Sequence, residues 1–141
     1  MHPALSRFVD LYRRDLAGVD MAIIADVYSP DVEFIDPAHN IHGCNALIKY
    51  FNNMMQPLTF CQFDIRDIHE LEGSATLAWT MTIAHPKLRR GKPISIEGMT
   101  LVRFDKKIDF HRDYFDLGAM LYEHIPLIGR AIKWLKRGLA D

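Results

Sequence analysis

The chain lacks most of the features that mark the large specialised classes of protein. It has only two cysteines, Cys44 and Cys61, 17 positions apart and without a Cys-x-x-Cys pair. Neither a disulfide framework nor a zinc site is expected from them. It has no surplus of charge of either sign, the net value being −1. Domains that grip nucleic acid carry a basic excess, so nucleic acid is not expected as a partner. No window holds 18 uninterrupted apolar residues, so no spanning helix and no membrane are expected. The opening Met1-His2-Pro3-Ala4-Leu5 shows no basic stretch followed by an apolar run. That predicts no signal peptide and a cytoplasmic protein. Internal repeats, linkers and low-complexity stretches are also missing.

What remains is ordinary globular composition, 49% apolar and 25% charged over 141 residues. One domain spanning 1–141 is expected, with a core large enough to fold alone.

Hydrophobic periodicity divides the chain in two. Leu5, Phe8, Val9, Tyr12 and Leu16 recur at helical spacing, predicting an amphipathic helix over 4–17 that ends at Gly18. Asp20 is placed to cap a second short helix reaching about Tyr28. Ser29-Pro30-Asp31 reads as a turn. Val32, Phe34 and Asp36 alternate as a short strand that Pro37 ends, leaving Asp36 at a strand end. The segment 38–43 reads as a loop. Leu47, Ile48, Phe51, Met54 and Met55 then predict a helix over 44–56.

Beyond Pro57 the period changes to two. Residues 59–70, 74–85, 93–104 and 107–115 read as strands rich in Thr, Ile, Val, Phe and Trp. Short joins at Glu72-Gly73 and Lys106-Lys107, and a basic loop over 87–92, imply antiparallel pairing. Asp116 can cap a terminal helix from Leu117, interrupted at Pro126. Its Arg130, Lys133, Lys136 and Arg137 fit a solvated face. The fold class is therefore α+β: a strongly curved antiparallel sheet, with N-terminal helices on its concave face around a pocket.

Alternation selects which side chains share a face. Phe34 goes with Asp36; Trp79 goes with Met81 and Ile83. Gly98, Thr100 and Val102 form a third set, and His111, Asp113 and Phe115 a fourth. If these sets face inward, the lining is apolar and aromatic (Phe34, Phe51, Trp79, Met81, Phe115). Tyr12, Asp36, Thr100, His111 and Asp113 are its polar exceptions. Two carboxylates and an imidazole on an apolar wall are the parts acid–base chemistry needs, and a tyrosine hydroxyl could hold a substrate carbonyl. Plainer roles also fit: Asp36 as a turn carboxylate, Tyr12 as a core residue, Asp116 as a cap. His39-x-x-His42 beside Asp36 allows a metal alternative, but the expectation is no metal and no cofactor.

Tyr28-Ser29-Pro30-Asp31-Val32-Glu33-Phe34-Ile35-Asp36-Pro37, then Ile41-His42-Gly43 and a helix carrying Tyr50-Phe51, resembles the first half of nuclear-transport-factor-2-like proteins. That group includes ketosteroid isomerase, SnoaL-like polyketide cyclases, scytalone dehydratase and limonene epoxide hydrolase. The order of elements agrees over nearly the whole chain. By resemblance to the isomerase, Asp36 takes the general base's place and Tyr12, 24 residues earlier, the oxyanion donor's. Thr100 stands where that enzyme has its second donor. Arg112-Asp113-Tyr114-Phe115-Asp116-Leu117 resembles the last-strand motif of the epoxide hydrolase, which makes Asp113 a catalytic carboxylate. The hydrolase's Arg-x-Asp pair is replaced by Trp79 and Met81, so epoxide hydrolysis is not expected. The resemblance implies a pocket for a small apolar ligand and a homodimer through the open sheet face. The function expected is a cofactor-free isomerase, cyclase or dehydratase of an apolar carbonyl compound. The alternative is a non-catalytic binding or dimerisation module.

Overall fold

The structure, a computed structural model, describes residues 1–116, 118 and 137–139. The terminal helix expected from Leu117, with its interruption at Pro126 and its basic cluster, lies almost wholly outside these residues.

Helix α1 (Pro3–Tyr12) begins where His2 Nδ1 accepts the Ala4 N–H at 3.0 Å and Pro3 takes the first turn. A proline there loses no helical hydrogen bond. Its buried stripe is Leu5, Phe8, Val9 and Tyr12, as the periodicity requires. The helix stops at Tyr12, well short of Gly18. Asp15 explains this: its carboxylate accepts the Ala17 N–H at 3.2 Å and the Cys61 N–H at 3.0 Å. A side chain that satisfies backbone donors locally competes with the helix and starts a new turn, here a 3-10 turn over Leu16–Gly18. Asp20 then caps a second 3-10 segment, Met21–Asp26.

Strand β1 (Tyr28–Ile35) begins earlier than the alternation predicted. Ser29-Pro30-Asp31 is no turn. It lies inside the strand, where the register with the neighbouring strand breaks between Tyr28 and Glu33. A proline is tolerated in a strand at such an irregularity. Segment 38–43 likewise holds a short strand, β2 (Asn40–His42), which pairs back on Glu33–Ile35. Helix α2 (Cys44–Met55) follows, and Leu47, Phe51 and Met55 face the core.

Strands β3 (Phe60–Leu71), β4 (Ser74–Ala84), β5 (Ile94–Phe104) and β6 (Ile108–Phe115) form the antiparallel meander read from the sequence. The sheet order is β2-β1-β6-β5-β4-β3. The sheet is mixed rather than wholly antiparallel, because β1 runs parallel to β6. This junction sets Phe34 opposite His111 in the register and so joins the two halves of the site. Among the described residues no helix is long and apolar enough to cross a membrane.

Candidate active site

One set of residues combines burial, hydrogen bonding and titratable chemistry. Strand β6 brings His111 and Asp113 inward on adjacent inward positions. β5 brings Thr100 opposite Asp113, β4 brings Trp79, β1 brings Tyr28, and α1 brings Tyr12 down from above. Their polar atoms form one continuous chain. Trp79 Nε1–H donates to Thr100 Oγ1 at 2.7 Å, and the Thr100 hydroxyl donates to Asp113 Oδ1 at 2.6 Å. His111 Nε2 lies 2.7 Å from the same oxygen. Its Nδ1 lies 2.8 Å from the Tyr28 hydroxyl, which lies 2.7 Å from that of Tyr12.

A carboxylate oxygen only accepts, so with Asp113 ionised the His111 proton sits on Nε2 and donates to it. A neutral imidazole then accepts at Nδ1 from the Tyr28 O–H, and Tyr28 accepts from the Tyr12 O–H. Every buried polar atom of the chain is thereby satisfied, as a dry site demands. Asp113 retains a second oxygen, Oδ2, with no partner among the described residues. Its side chain keeps 14% exposure, whereas His111 keeps 1%.

Asp113, Thr100, Trp79 and Tyr12 line a cavity together with Phe8, Phe63, Ile65 and Leu77. Its free volume is about 10 Å³, room for roughly one water. Trp79 is the reason. Its indole, one of the lining side chains, lies across Gly98, its cross-strand partner. A wider hollow of about 350 Å³ opens between 17–21 and 52–56. None of its lining residues is ionisable (Ala17, Val19, Met21, Asn52, Asn53, Met55, Gln56). Size alone favours that hollow; chemistry favours the smaller one.

Asp36 stands apart from this cavity. At the end of β1 its carboxylate accepts the Ala38 N–H at 2.8 Å, contacts His39 Nδ1 at 3.0 Å and accepts the Tyr50 hydroxyl. The Asp36 side chain is 7% exposed and that of His39 50%, which puts the cluster at the rim. Aromatic rings connect rim to interior: Tyr50 to Phe34 at 5.6 Å, then Phe34 to His111 at 4.6 Å between centroids. Asp36 is therefore not among the residues that line the cavity with Asp113, although Tyr50, which it holds, feels the charge of both carboxylates. Phe34, Phe51, Met81 and Phe115 lie around the site without lining the cavity; the first three are buried. The metal alternative loses its geometry as well. His42 turns to Glu33 at 3.7 Å, and no three His, Cys, Asp or Glu side chains converge among the described residues.

Two participants were not singled out in the sequence. Tyr28 falls at a position read as a helix end, and only the parallel β1–β6 junction makes it a neighbour of His111. Tyr50 sits on an amphipathic helix as an ordinary half-buried aromatic. Alternation of β1 was the signal that could have found Tyr28, had the strand been extended four residues upstream.

Burial pushes the Tyr12 and Tyr28 hydroxyls well above the usual phenol range, and the Asp113 charge adds to both. Tyr50 is raised by burial and then by Asp36. Burial pushes the Cys61 thiol up to about 12. The buried phenols thus stay neutral in the fold, while in an unfolded chain they ionise from about pH 10. The unfolded state then binds fewer protons than the native one, so stability present below pH 10 is lost as pH rises further. For Tyr12 and Tyr28 the slope is up to about 1.4 kcal/mol per pH unit each. Alkaline titration should show the tyrosinate absorbance of these residues rising only as circular dichroism is lost. Tyr28→Phe should flatten the alkaline limb; an unchanged limb would contradict the assignment.

Comparison with known proteins agrees with this architecture. Residues 6–111 match a family model described as the SnoaL-like domain. A protein assigned as a SnoaL-like polyketide cyclase from Jannaschia sp. CCS1 superposes with a TM-score of 0.75 at 13% identity, over 90% of this chain and 96% of that one. A protein with a ketosteroid isomerase-like fold from Catenulispora acidiphila, in complex with trimethylamine, gives 0.73 at 13% identity, over 86% and 92%. An NTF2-like protein of unknown function from Burkholderia pseudomallei K96243 gives 0.71 at 17% identity, over 89% and 99%. No curated protein matches the sequence significantly. At these identities the solved structures establish the cone-shaped fold and leave the chemistry to the residues.

Proposed function

The chain belongs to the SnoaL-like domain family, and from that premise we propose that it is a proton-transfer enzyme, an isomerase, cyclase or dehydratase of a small apolar carbonyl compound. The observation that carries the reading is that Asp113 and Tyr12 line the same apolar cavity and are joined through His111 and Tyr28. Asp113 Oδ2 is the base that takes a proton from carbon beside a carbonyl. Tyr12 is the hydroxyl that turns its O–H from Tyr28 to the substrate oxygen and stabilises it as charge gathers there. His111, neutral, donates its Nε2–H to Asp113 Oδ1 and so steadies the carboxylate charge. Thr100, itself held by the Trp79 N–H, donates to the other carboxylate oxygen, so the base is fixed in place before substrate arrives. Proton transfer of this kind asks for no cofactor. Asp36 takes no part in this step; its contacts with Tyr50 and His39 suit it to shaping the entrance.

The narrow cavity favours a small or flat substrate that reaches in with its carbonyl end. A protein of this fold is known in complex with trimethylamine, a small molecule. The same narrowness supports a second reading, a non-catalytic module. The outer sheet face offers it a contact surface: Met99 and Tyr114 are about half exposed there, in register with Ala78. A cytoplasmic homodimer through that face is compatible with both readings.

The readings separate in heavy water. Small ketones such as cyclohexanone and cyclopent-2-enone exchange their α-protons with solvent, and nuclear magnetic resonance follows the loss. The enzyme reading expects the protein to speed this exchange for at least one apolar ketone. Rates equal to those in buffer for a broad ketone panel would favour the binding module.

A further inference from the structure

We propose that Trp79 is the specificity-determining residue of the site: its indole limits the buried end of the cavity to a bare carbonyl, so the substrate is a ketone with no branch on the carbons beside its C=O. The inference rests on the acid–base reading above and deepens it by naming the substrate class. It is tested by binding alone.

The cavity lining divides by exposure. Phe63, Ile65 and Asp113 keep partial exposure, whereas Tyr12, Trp79 and Thr100 are buried. A ligand comes in past the first three and ends against the last three. That order suits proton transfer. The carbonyl oxygen goes in to the Tyr12 hydroxyl, and the carbon beside it stops at the Asp113 carboxylate. The free space is about 10 Å³, the scale of one water. A carbonyl oxygen is of that scale. A methyl group on the neighbouring carbon is added volume with no place to go.

Trp79 sets this limit because it is the bulkiest of the lining side chains and is held from several sides. Its Nε1–H donates to Thr100 Oγ1 at 2.7 Å. The Phe63 ring meets it edge-on, 4.9 Å away between centroids. Gly98 faces it across the strands, and a Cβ there would fall 2.3 Å from the indole. Gly98 is not one of the glycines with positive φ, so its backbone conformation does not call for glycine. The seat of the indole does. A ring packed this closely resists displacement by a ligand.

Apolar burial alone rewards every added methyl group. Rejection of methyl groups beside the carbonyl, with acceptance of the same groups farther away, is therefore the mark of limited space at the buried end. Truncating the indole leaves a hole, because surrounding side chains relax only in part. An apolar hole of about 150 Å³ inside a protein holds a benzene ring. With the indole gone, the rejection goes too.

The test compares two isomers of one composition. In cis-2,6-dimethylcyclohexanone the methyl groups flank the carbonyl; in cis-3,5-dimethylcyclohexanone they stand farther off. Nuclear magnetic resonance titration gives both dissociation constants. The native protein should bind the 3,5 isomer about tenfold or more tighter than the 2,6 isomer. In Trp79→Ala the two should bind alike. In Trp79→Leu, which serves if the first variant does not fold, the ratio should fall partway. A tryptophan with a structural role only would weaken both isomers together and leave their ratio unchanged. Equal binding in the native protein overturns the proposal, as does binding of neither isomer. A ratio that survives in whichever Trp79 variant folds overturns it too. Turnover is not needed for any of these readings. A native protein that shows the ratio but exchanges no ketone α-proton sinks the acid–base reading alone. One that exchanges α-protons without the ratio sinks only the role of Trp79.

Discussion

Asp113→Asn will abolish ketone α-proton exchange while leaving the fold in place. The expected loss is about 10²–10⁴-fold, the usual contribution of a positioned general base. An asparagine at 113 keeps the shape of the side chain. Its carbonyl oxygen can accept the same hydrogen bonds from Thr100 and His111 that Oδ1 accepts now. What it lacks is the charge and basicity of a carboxylate in the cavity lining. The thermal midpoint should therefore move little, and the separation of activity from stability is the result to look for. Asp36→Asn is the control. Its carboxylate is held at the rim by Tyr50, His39 and the Ala38 N–H, away from the cavity lining. Exchange should persist in that variant. Loss of exchange in Asp36→Asn with retention in Asp113→Asn would reverse the assignment of the base.

Gly98→Ala should be among the most damaging small substitutions in the protein. A Cβ there would stand 2.3 Å from one atom of the Trp79 indole and 2.6 and 2.8 Å from two others. The indole has nowhere to go. It is buried, lies 4.9 Å from the Phe63 ring, and is tied through Nε1–H to Thr100. Overpacking of this kind costs about 1–3 kcal/mol. The gain of about 0.5–1 kcal/mol from removing a strand glycine offsets only part of it. The cost belongs to the pair, so it should nearly vanish in a Trp79→Leu background, where the indole is gone. A double-mutant cycle in urea measures the coupling directly. Additive effects would mean that the close packing of indole on glycine does not govern this part of the core.

The meander was legible because its chemistry is local. Alternating β-branched and aromatic residues between Glu72-Gly73, the 87–92 loop and Lys106-Lys107 placed four strands to within a residue or two. The same alternation put Trp79, Thr100 and His111 on the buried face, where the structure has them. The N-terminal part was harder because its outcome depends on partners far away in sequence. Asp15 stops α1 by bonding Cys61, 46 residues on. Tyr28 becomes strand by pairing with Ile108. Neither partner can be inferred from periodicity. That Asp36 is absent from the cavity lining was hidden for a related reason. Strand phase says which face a residue takes, but not how the chain turns after Pro37. That turn brings His39 and Tyr50 onto the carboxylate.

The central claim is that an apolar carbonyl compound enters this cavity and meets the Tyr12 hydroxyl. Cyclohexanone labelled with ¹³C at the carbonyl tests it most directly. On binding, its carbon resonance should shift toward stronger hydrogen bonding, with magnetisation contacts to the rings of Tyr12, Phe63 and Trp79, and the shift should disappear in Tyr12→Phe. A bound ketone whose resonance is the same in both proteins, or whose contacts lie in the hollow beside Asn52 and Met55, would contradict the account.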